Sequence, residues 1–234
     1  MKSDADPNLY YIQVGEDPLI LILYLDDLFL TWSKKLIKDY KRDLPTEFEM
    51  KDIDLMHFFL GLEVWHSPGQ IFLGHGKYTV EILQRFEMAD YKSMSTPMTT
   101  NFKKLNAFET KLFDPTLYHQ LMGSLMYMVN TRLDICFVVN TFNQFMVELR
   151  RVHYTATKNA LRYLHGIVDY WLSYVQGDGV RLVGFNDSDW AGTMVNRKST
   201  SRCFFSLGSA VMSWFSGKQK SVTLSSVEAQ YMVC

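Results

Sequence analysis

Little in this sequence points to a covalent or metal-built scaffold. Only three cysteines, Cys136, Cys203 and Cys234, occur among 234 residues. Their number is odd and their spacing is not that of a metal site, which argues against a disulfide framework and for a reducing compartment. The six histidines, His57, His66, His75, His119, His153 and His165, fall singly, with no HxxxH or Cys/His pattern. They read as surface or capping residues. An excess of basic charge is lacking too. The net charge is -1, so any nucleic-acid contact must use local patches rather than a global field. No long apolar run is present. The longest, residues 18–32, is interrupted by two aspartates and is shorter than the ~20 residues of a membrane helix. The opening MKSDADPNLYYIQ is acidic and polar, unlike a signal or transit peptide. No membrane segment is expected, and the location expected is cytoplasmic or nuclear.

What is present suits a folded globular protein, with 47% hydrophobic and 21% charged residues. The length allows one large domain or two small ones with a real core. The sharpest local feature is LILYLDDLFL, residues 21–30. Asp26 and Asp27 stand side by side inside an apolar run that reads as strand, turn, strand. Burying two adjacent like charges without compensation costs several kcal/mol, of the order of ~3 or more. A turn that lifts both carboxylates out of the sheet, toward a divalent cation or water, removes that cost. A glycosidase pair is excluded, because adjacent aspartates in one turn cannot flank a glycosidic bond at the ~5–9 Å such chemistry uses.

The remaining pattern alternates in character. Ser33 is a suitable N-cap for a helix whose apolar face carries Leu36, Ile37, Tyr40 and Leu44 and which Pro45 is expected to end. Two apolar runs around Ser67-Pro68-Gly69 predict a second hairpin. Tyr78, Ile82 and Phe86 mark an amphipathic helix. Residues 91–115 have no period and read as a linker or loop. Helices are predicted over 118–145, nearly all apolar and therefore core, and over 156–167, closed by Gly166. Three short strands then follow in VRLVGFND, RCFFSLG and AVMSWFS, before a helix with Ser225 or Ser226 at its N-cap and Glu228 in its first turn. The fold class expected is α+β. Trp65, Trp171, Trp190 and Trp214 are expected in the core.

Tyr24-Leu25-Asp26-Asp27 resembles the YxDD box of reverse transcriptases. The residues that follow make the likeness specific. FEMKDIDLMHFFLGLEVWHSPGQIFLGHGKYTVEIL is similar to the segment after that box in Pol polyproteins of copia-class long-terminal-repeat retrotransposons. STPM, DPTLYHQLMGSLMYMVNTRLDICF and ALRYLHG resemble the helical thumb and connection of those proteins. GFNDSDWAGTMVNRKSTSRCFFSLGSAVMSWFSGKQKSVTLSSVEAQYM resembles the start of their ribonuclease H domain. These motifs appear in family order from about residue 9 to the last.

The resemblance implies three parts. Residues 1–90 would be a palm remnant with the YxDD hairpin and a primer-grip-like hairpin, and 91–175 a helical thumb and connection. Residues 176–234 would be an incomplete ribonuclease H-like β-β-β-α unit. It implies catalytic roles for Asp26, Asp27, Asp187 and Glu228, with Asp26, Asp187 and Glu228 as ligands of Mg²⁺ or Mn²⁺. Tyr24, Phe59, Leu60 and Gly61 would contact the primer, and Arg197 and Lys198 the nucleic-acid backbone. Asp189 reads as structural. The implied partners are an RNA or DNA template-primer, an RNA–DNA hybrid and, in the intact parent, a deoxynucleoside triphosphate.

The resemblance further implies that both catalytic centres are half present here, since the family's other palm Asp and later ribonuclease H aspartates fall outside the chain. Inactivity of the chain alone is therefore expected, the alternative being a decayed or co-opted nucleic-acid-binding or protein-interaction module. Four positions depart from the family pattern. Arg202 stands for Gly, Gln230 for Glu, Leu133 for the Pro of RPD, and Leu25 for the commoner Val.

Overall fold

The computed structural model describes residues 1–99, 114–177, 181–191 and 197–233. Most of the expected linker over 91–115, and Cys234, lie outside the described residues. The chain divides into two compact units, Met1–Met56 and His57–Cys234. It mixes helix and sheet in the manner of the α+β class.

The first unit is an antiparallel meander, β1 (Leu9–Val14), β2 (Asp17–Tyr24) and β3 (Asp27–Trp32), followed by α1 (Lys34–Glu47). Strand β1 carried no clear alternation in the sequence; it forms because its backbone pairs along β2 from Leu9↔Ile22 to Val14↔Asp17. Ser33 caps α1 as expected, its hydroxyl accepting from the Leu36 N–H. Pro45 does not end the helix, which continues to Glu47. A proline removes one N–H and restrains the residue before it, so a helix already formed can run past it by part of a turn. Only Leu19 and Leu36 are buried in this unit.

The second unit holds a four-stranded sheet of order β4-β5-β6-β7 and a three-stranded sheet of order β10-β9-β8. The first consists of β4 (Phe58–Phe59), β5 (Leu62–Ser67), β6 (Gln70–Gly74) and β7 (Leu172–Val175). Between β6 and β7 the chain forms α2 (Gly76–Arg85), α3 (Pro115–Met128), α4 (Leu133–Asn143) and α5 (Arg151–His165). The second sheet consists of β8 (Leu182–Asp189), β9 (Thr200–Leu207) and β10 (Ala210–Lys218), followed by the short α6 (Ser226–Tyr231). The hairpin over Ser67–Gln70 turns at Gly69, whose φ of +71° suits a residue without a Cβ.

The core lies among α2, α3, α4 and α5. Ile82, Tyr118, Leu121, Leu125, Met128, Ile135, Phe142, Leu161 and Leu164 are fully buried there. Each large apolar side chain so buried contributes roughly 1.5–3 kcal/mol. The single helix expected over 118–145 is in fact two. The N–H groups of Asn130, Thr131 and Arg132 fold back onto the Tyr127 and Met128 carbonyls and close α3. An element that is apolar on all sides has no period to mark such a break. Helix α5 starts at Arg151 rather than 156, because Arg150 opens it with its backbone N–H donating to His153 Nδ1 at 3.2 Å. Strand β7 was absent from the sequence reading; it exists because β6 offers it an edge. The two sheets are tied through it and through α3. The Tyr174 hydroxyl donates to the Val211 carbonyl at 3.0 Å, and Trp214 Nε1 to the Val129 carbonyl at 2.8 Å.

Two of the tryptophans expected in the core are on the surface, Trp65 at 62% and Trp190 at 47% exposure. Trp65 lies in the exposed second half of β5 and packs edge-on against Trp171. Trp190 lies just beyond the end of β8 and donates its indole N–H to the Thr223 carbonyl.

Candidate active-site residues

The carboxylate hairpin is built by register. Tyr24 pairs with Asp27, so the loop between β2 and β3 has two residues, Leu25 and Asp26. Asp26 is in the turn, and Asp27 is the first residue of β3 rather than a turn residue. Directly paired residues share a face of the sheet, so Tyr24 and Asp27 stand together on one side. Leu25 has φ +50° and is 84% exposed. A leucine there costs on the order of 1–2 kcal/mol relative to ordinary backbone. Strand pairing on both sides holds it in place. The loop adjoining both acids is thus conformationally strained. Both carboxylates are exposed, and among the described residues no ion pair or side-chain hydrogen bond engages them. They offer hard oxygen donors of the kind Mg²⁺ takes one or two at a time, so this pair fits a divalent cation as part of a site. No third His, Cys, Asp or Glu joins them among the described residues.

The hairpin that joins β4 to β5 is a two-residue turn with both central residues at positive φ, Leu60 at +50° and Gly61 at +82°, between paired Phe59 and Leu62. That is the backbone a right-twisted hairpin prefers. Leu60 is exposed and Phe59 half-buried. Gly61 lies against Tyr127 of α3; a Cβ placed on it would be 2.9 Å from the tyrosine hydroxyl oxygen. Under this turn lies a polar cluster that spacing did not reveal. Glu63 is buried, and its carboxylate accepts from the Lys77 N–H at 2.8 Å, at the start of α2. His75, expected at the surface, is 2% exposed. Its Nδ1 is hydrogen-bonded to the Thr131 hydroxyl, while its Nε2 and the Tyr127 hydroxyl have no hydrogen-bond partner among the described residues. Burial first, then the charge of Arg132, lowers the His75 pKa to about 4, against a smaller opposing effect of Glu63. The ring is therefore neutral at physiological pH.

Arg132 is itself buried. It grips Asp134 with two nitrogens at 2.9 and 2.7 Å and donates to the Ile167 carbonyl. Burial opposes ionisation of Asp134, but Arg132 and the Tyr163 hydroxyl outweigh it and hold the carboxyl below its ordinary range. His153 is also buried. A single histidine in sequence carries no periodic signal, so neither burial was legible.

The second carboxylate set behaves differently. Asp187, on β8, is paired in register with Arg202 on β9, whose Nη1 lies 3.6 Å from its carboxylate. The Arg202 guanidinium lies over the Phe137 ring of α4, 4.6 Å from its centre. Asp189 accepts from the Thr200 N–H at 2.6 Å, a structural use as expected. Glu228 accepts from the Leu224 N–H at 2.6 Å, just before the N-cap of α6, while its own N–H donates to the hydroxyl of that N-cap, Ser225. The α6 residue that reaches β8 is Gln230, whose amide nitrogen donates to the Asn186 side-chain oxygen at 3.0 Å. Its amide oxygen lies 3.3 Å from the Ser188 hydroxyl. Asp187 and Glu228 do not fit a divalent cation as they stand: the Arg202 cation lies beside Asp187, and no third His, Cys, Asp or Glu joins the two among the described residues.

The basic residues are also partly committed. Lys198 donates to the Lys220 carbonyl at 2.6 Å, whereas Arg197 is exposed with φ +51°. No helix among the described residues is long and apolar enough to cross a membrane.

Comparison with known proteins gives this geometry its context. The family profile "Reverse transcriptase (RNA-dependent DNA polymerase)" matches residues 1–100. The chain is 35% identical to the "Retrovirus-related Pol polyprotein from transposon RE2" of Arabidopsis thaliana over 99% of its own length and 16% of that protein. It is 34% identical to the corresponding polyprotein from transposon TNT 1-94 of Nicotiana tabacum, over 99% of the chain and 18% of the relative. An uncharacterized mitochondrial protein of Arabidopsis thaliana is 35% identical over 91% of the chain and 89% of its own length. The chain thus spans less than a fifth of the length of these polyproteins. No solved structure matches it. With the two acids of its YxDD box exposed on a β-hairpin and this identity along almost its whole length, the chain belongs to the reverse transcriptase family of copia-type retrotransposon Pol polyproteins.

Proposed function

We propose that the chain carries the catalytic hairpin of an RNA-directed DNA polymerase. Asp26 would be the metal ligand, Asp27 its supporting carboxylate, and Tyr24 the neighbour of the primer end. The observation that supports this best is the exposed carboxylate pair at the strained tip of β2–β3. The family implies use of a divalent metal, Mg²⁺ or Mn²⁺, in the intact enzyme. When bound, that metal would neutralise the phosphates of the incoming nucleotide. The chain's own residues have three tasks: Asp26 and Asp27 hold negative oxygens clear of the sheet, Tyr24 shares a face with Asp27, and the pairing of β2 with β3 sets their positions.

The segment Phe59, Leu60 and Gly61 acts as primer grip, with Leu60 exposed and Gly61 seated against Tyr127 of α3. The division into a palm part over 1–90, a thumb and connection over 91–175 and the start of ribonuclease H over 176–234 belongs to the same reading. So do the template-primer or RNA–DNA hybrid and the nucleotide as partners, and the contact of Arg197 and Lys198 with phosphates.

Alone, the chain is inactive in this reading, because the described residues bring no third acid to Asp26 and Asp27. Primer extension on poly-rA with oligo-dT and Mg²⁺ or Mn²⁺ tests this. The expected result is no extension by the chain. In the intact parent polyprotein, Asp26→Asn is expected to abolish extension. Extension that survives Asp26→Asn sinks the assignment. Binding to an RNA–DNA hybrid, followed by fluorescence anisotropy, is expected to be weak and to fall steeply with salt, as phosphate contacts through few cations do. Tight binding at high salt contradicts it.

A second reading, a co-opted binding or interaction module without catalysis, is favoured by one observation: the carboxylates of the ribonuclease H-like part are engaged by protein groups.

A further inference from the structure

We propose that Arg202 is a built-in cation that takes the place of a divalent metal at Asp187, so that this carboxylate set is closed to metal in this chain. The inference rests on the reading of Asp187 and Glu228 as the metal pair of a ribonuclease H-like unit.

The argument starts from strand register. Asp187 and Arg202 are directly opposed on β8 and β9, so their side chains leave the sheet on the same face. The arginine does not merely happen to lie nearby. Its guanidinium is laid over Phe137 at 4.6 Å, and its Nε is enclosed with no hydrogen-bond partner among the described residues. Its head is thus directed by the ring and the strand, and one Nη arrives 3.6 Å from the Asp187 carboxylate. The ion pair is half open to water and by itself contributes little. Its importance is positional. A positive charge held 3.6 Å from the Asp187 carboxylate will repel a second cation there.

Neighbouring groups are committed in the same sense. Glu228 closes the first turn of α6 by accepting from the Leu224 N–H. Asp189 is held by the Thr200 N–H. Gln230 holds α6 against β8 with an amide nitrogen placed between the Asn186 carbonyl and side-chain oxygens, 3.3 and 3.0 Å away. A donor suits that place, since a carboxylate at 230 would be repelled by the Asn186 backbone carbonyl. The two departures from the family pattern at 202 and 230 therefore act together. One supplies the charge a metal would bring, and the other replaces an anion with a neutral donor.

The test is Mn²⁺-induced broadening of amide NMR signals in the full chain. In the unmodified chain, signals of residues 186–188 are expected to stay sharp at Mn²⁺ concentrations that broaden those around Asp26. Arg202→Gln keeps a stem across Phe137 and removes the charge, and Arg202→Ala is a second variant in case the first disturbs the sheet. Either is expected to bring Mn²⁺ to 186–188 with apparent affinity at least about tenfold tighter, the effect of losing one fixed unit charge near a protein surface. Adding Asp187→Asn should abolish that gain. Broadening at 186–188 in the unmodified chain that Asp187→Asn removes would overturn the proposal while upholding Asp187 as a metal ligand. No broadening in either Arg202 variant, with the sheet signals intact, would overturn both.

Discussion

Gly61 and Tyr127 meet so closely that the hairpin turn has no room for a side chain. A Cβ on Gly61 would approach the tyrosine hydroxyl oxygen to 2.9 Å, and the glycine φ is +82°. Gly61→Ala is expected to destabilise the second unit by about 1–3 kcal/mol, from backbone strain together with overpacking. Tyr127→Phe removes a hydroxyl that has no partner and should be close to neutral. The double variant should recover part of the loss, since the next tyrosine atom is 3.6 Å away. Urea unfolding of all four proteins measures the coupling; strict additivity would show that the contact does not bear on the turn.

His75 makes stability depend on pH. Its folded pKa of about 4 lies below the ordinary 6.5. The unfolded chain therefore binds the proton first as pH falls. Stability is complete above about pH 6.5 and declines toward pH 4, by up to roughly 3 kcal/mol. His153, also lowered, first by burial and then by Arg150, acts in the same direction. Urea midpoints at pH 7.5 and 5 should differ, and His75→Gln should flatten the difference. An unchanged slope in that variant would assign the pH dependence elsewhere.

Arg132 should not tolerate lysine. The guanidinium bonds both Asp134 oxygens and the Ile167 carbonyl at once, which a single ammonium cannot do in that geometry. Arg132→Lys is expected to cost about 2–4 kcal/mol, with Asp134→Asn in the same range because it leaves the buried cation unpaired. Thermal or urea unfolding checks both, and a loss below about 0.5 kcal/mol would mean the network is not structural.

Hydrogen exchange should separate the two units. Met1–Met56 buries only Leu19 and Leu36, whereas α3, α4 and α5 share an extended buried cluster. Amides of β1, β2 and β3 are expected to exchange well before those of α3 and α4, because local stability follows buried apolar contact. Equal protection in both would show that the meander gains stability from a source other than its own packing.

Helix boundaries show why some of the fold was legible and some was not. The Ser33 and Ser225 caps and the Pro68–Gly69 turn were readable, because each acts through its own backbone within a few residues. The break between α3 and α4 was not, since the stretch is nearly all apolar and its pattern does not distinguish 128 from 133. Nor were β1 and β7, short strands that exist through the edges offered by β2 and β6.

At the candidate sites, local chemistry and tertiary placement divide in the same way. The sequence by itself determined the carboxylate hairpin: two aspartates in an apolar run have no low-energy place except a turn or the strand end beside it. The three strands β8, β9 and β10 were legible too, as short apolar segments separated by turn residues. Only the tertiary structure decided that His75 and Arg132 are buried, that Gly61 is seated on Tyr127, and that Asp187 faces Arg202. Those outcomes depend on which distant residue fills the space beside each group, through desolvation, close packing and strand register, and a local pattern of residues does not encode them.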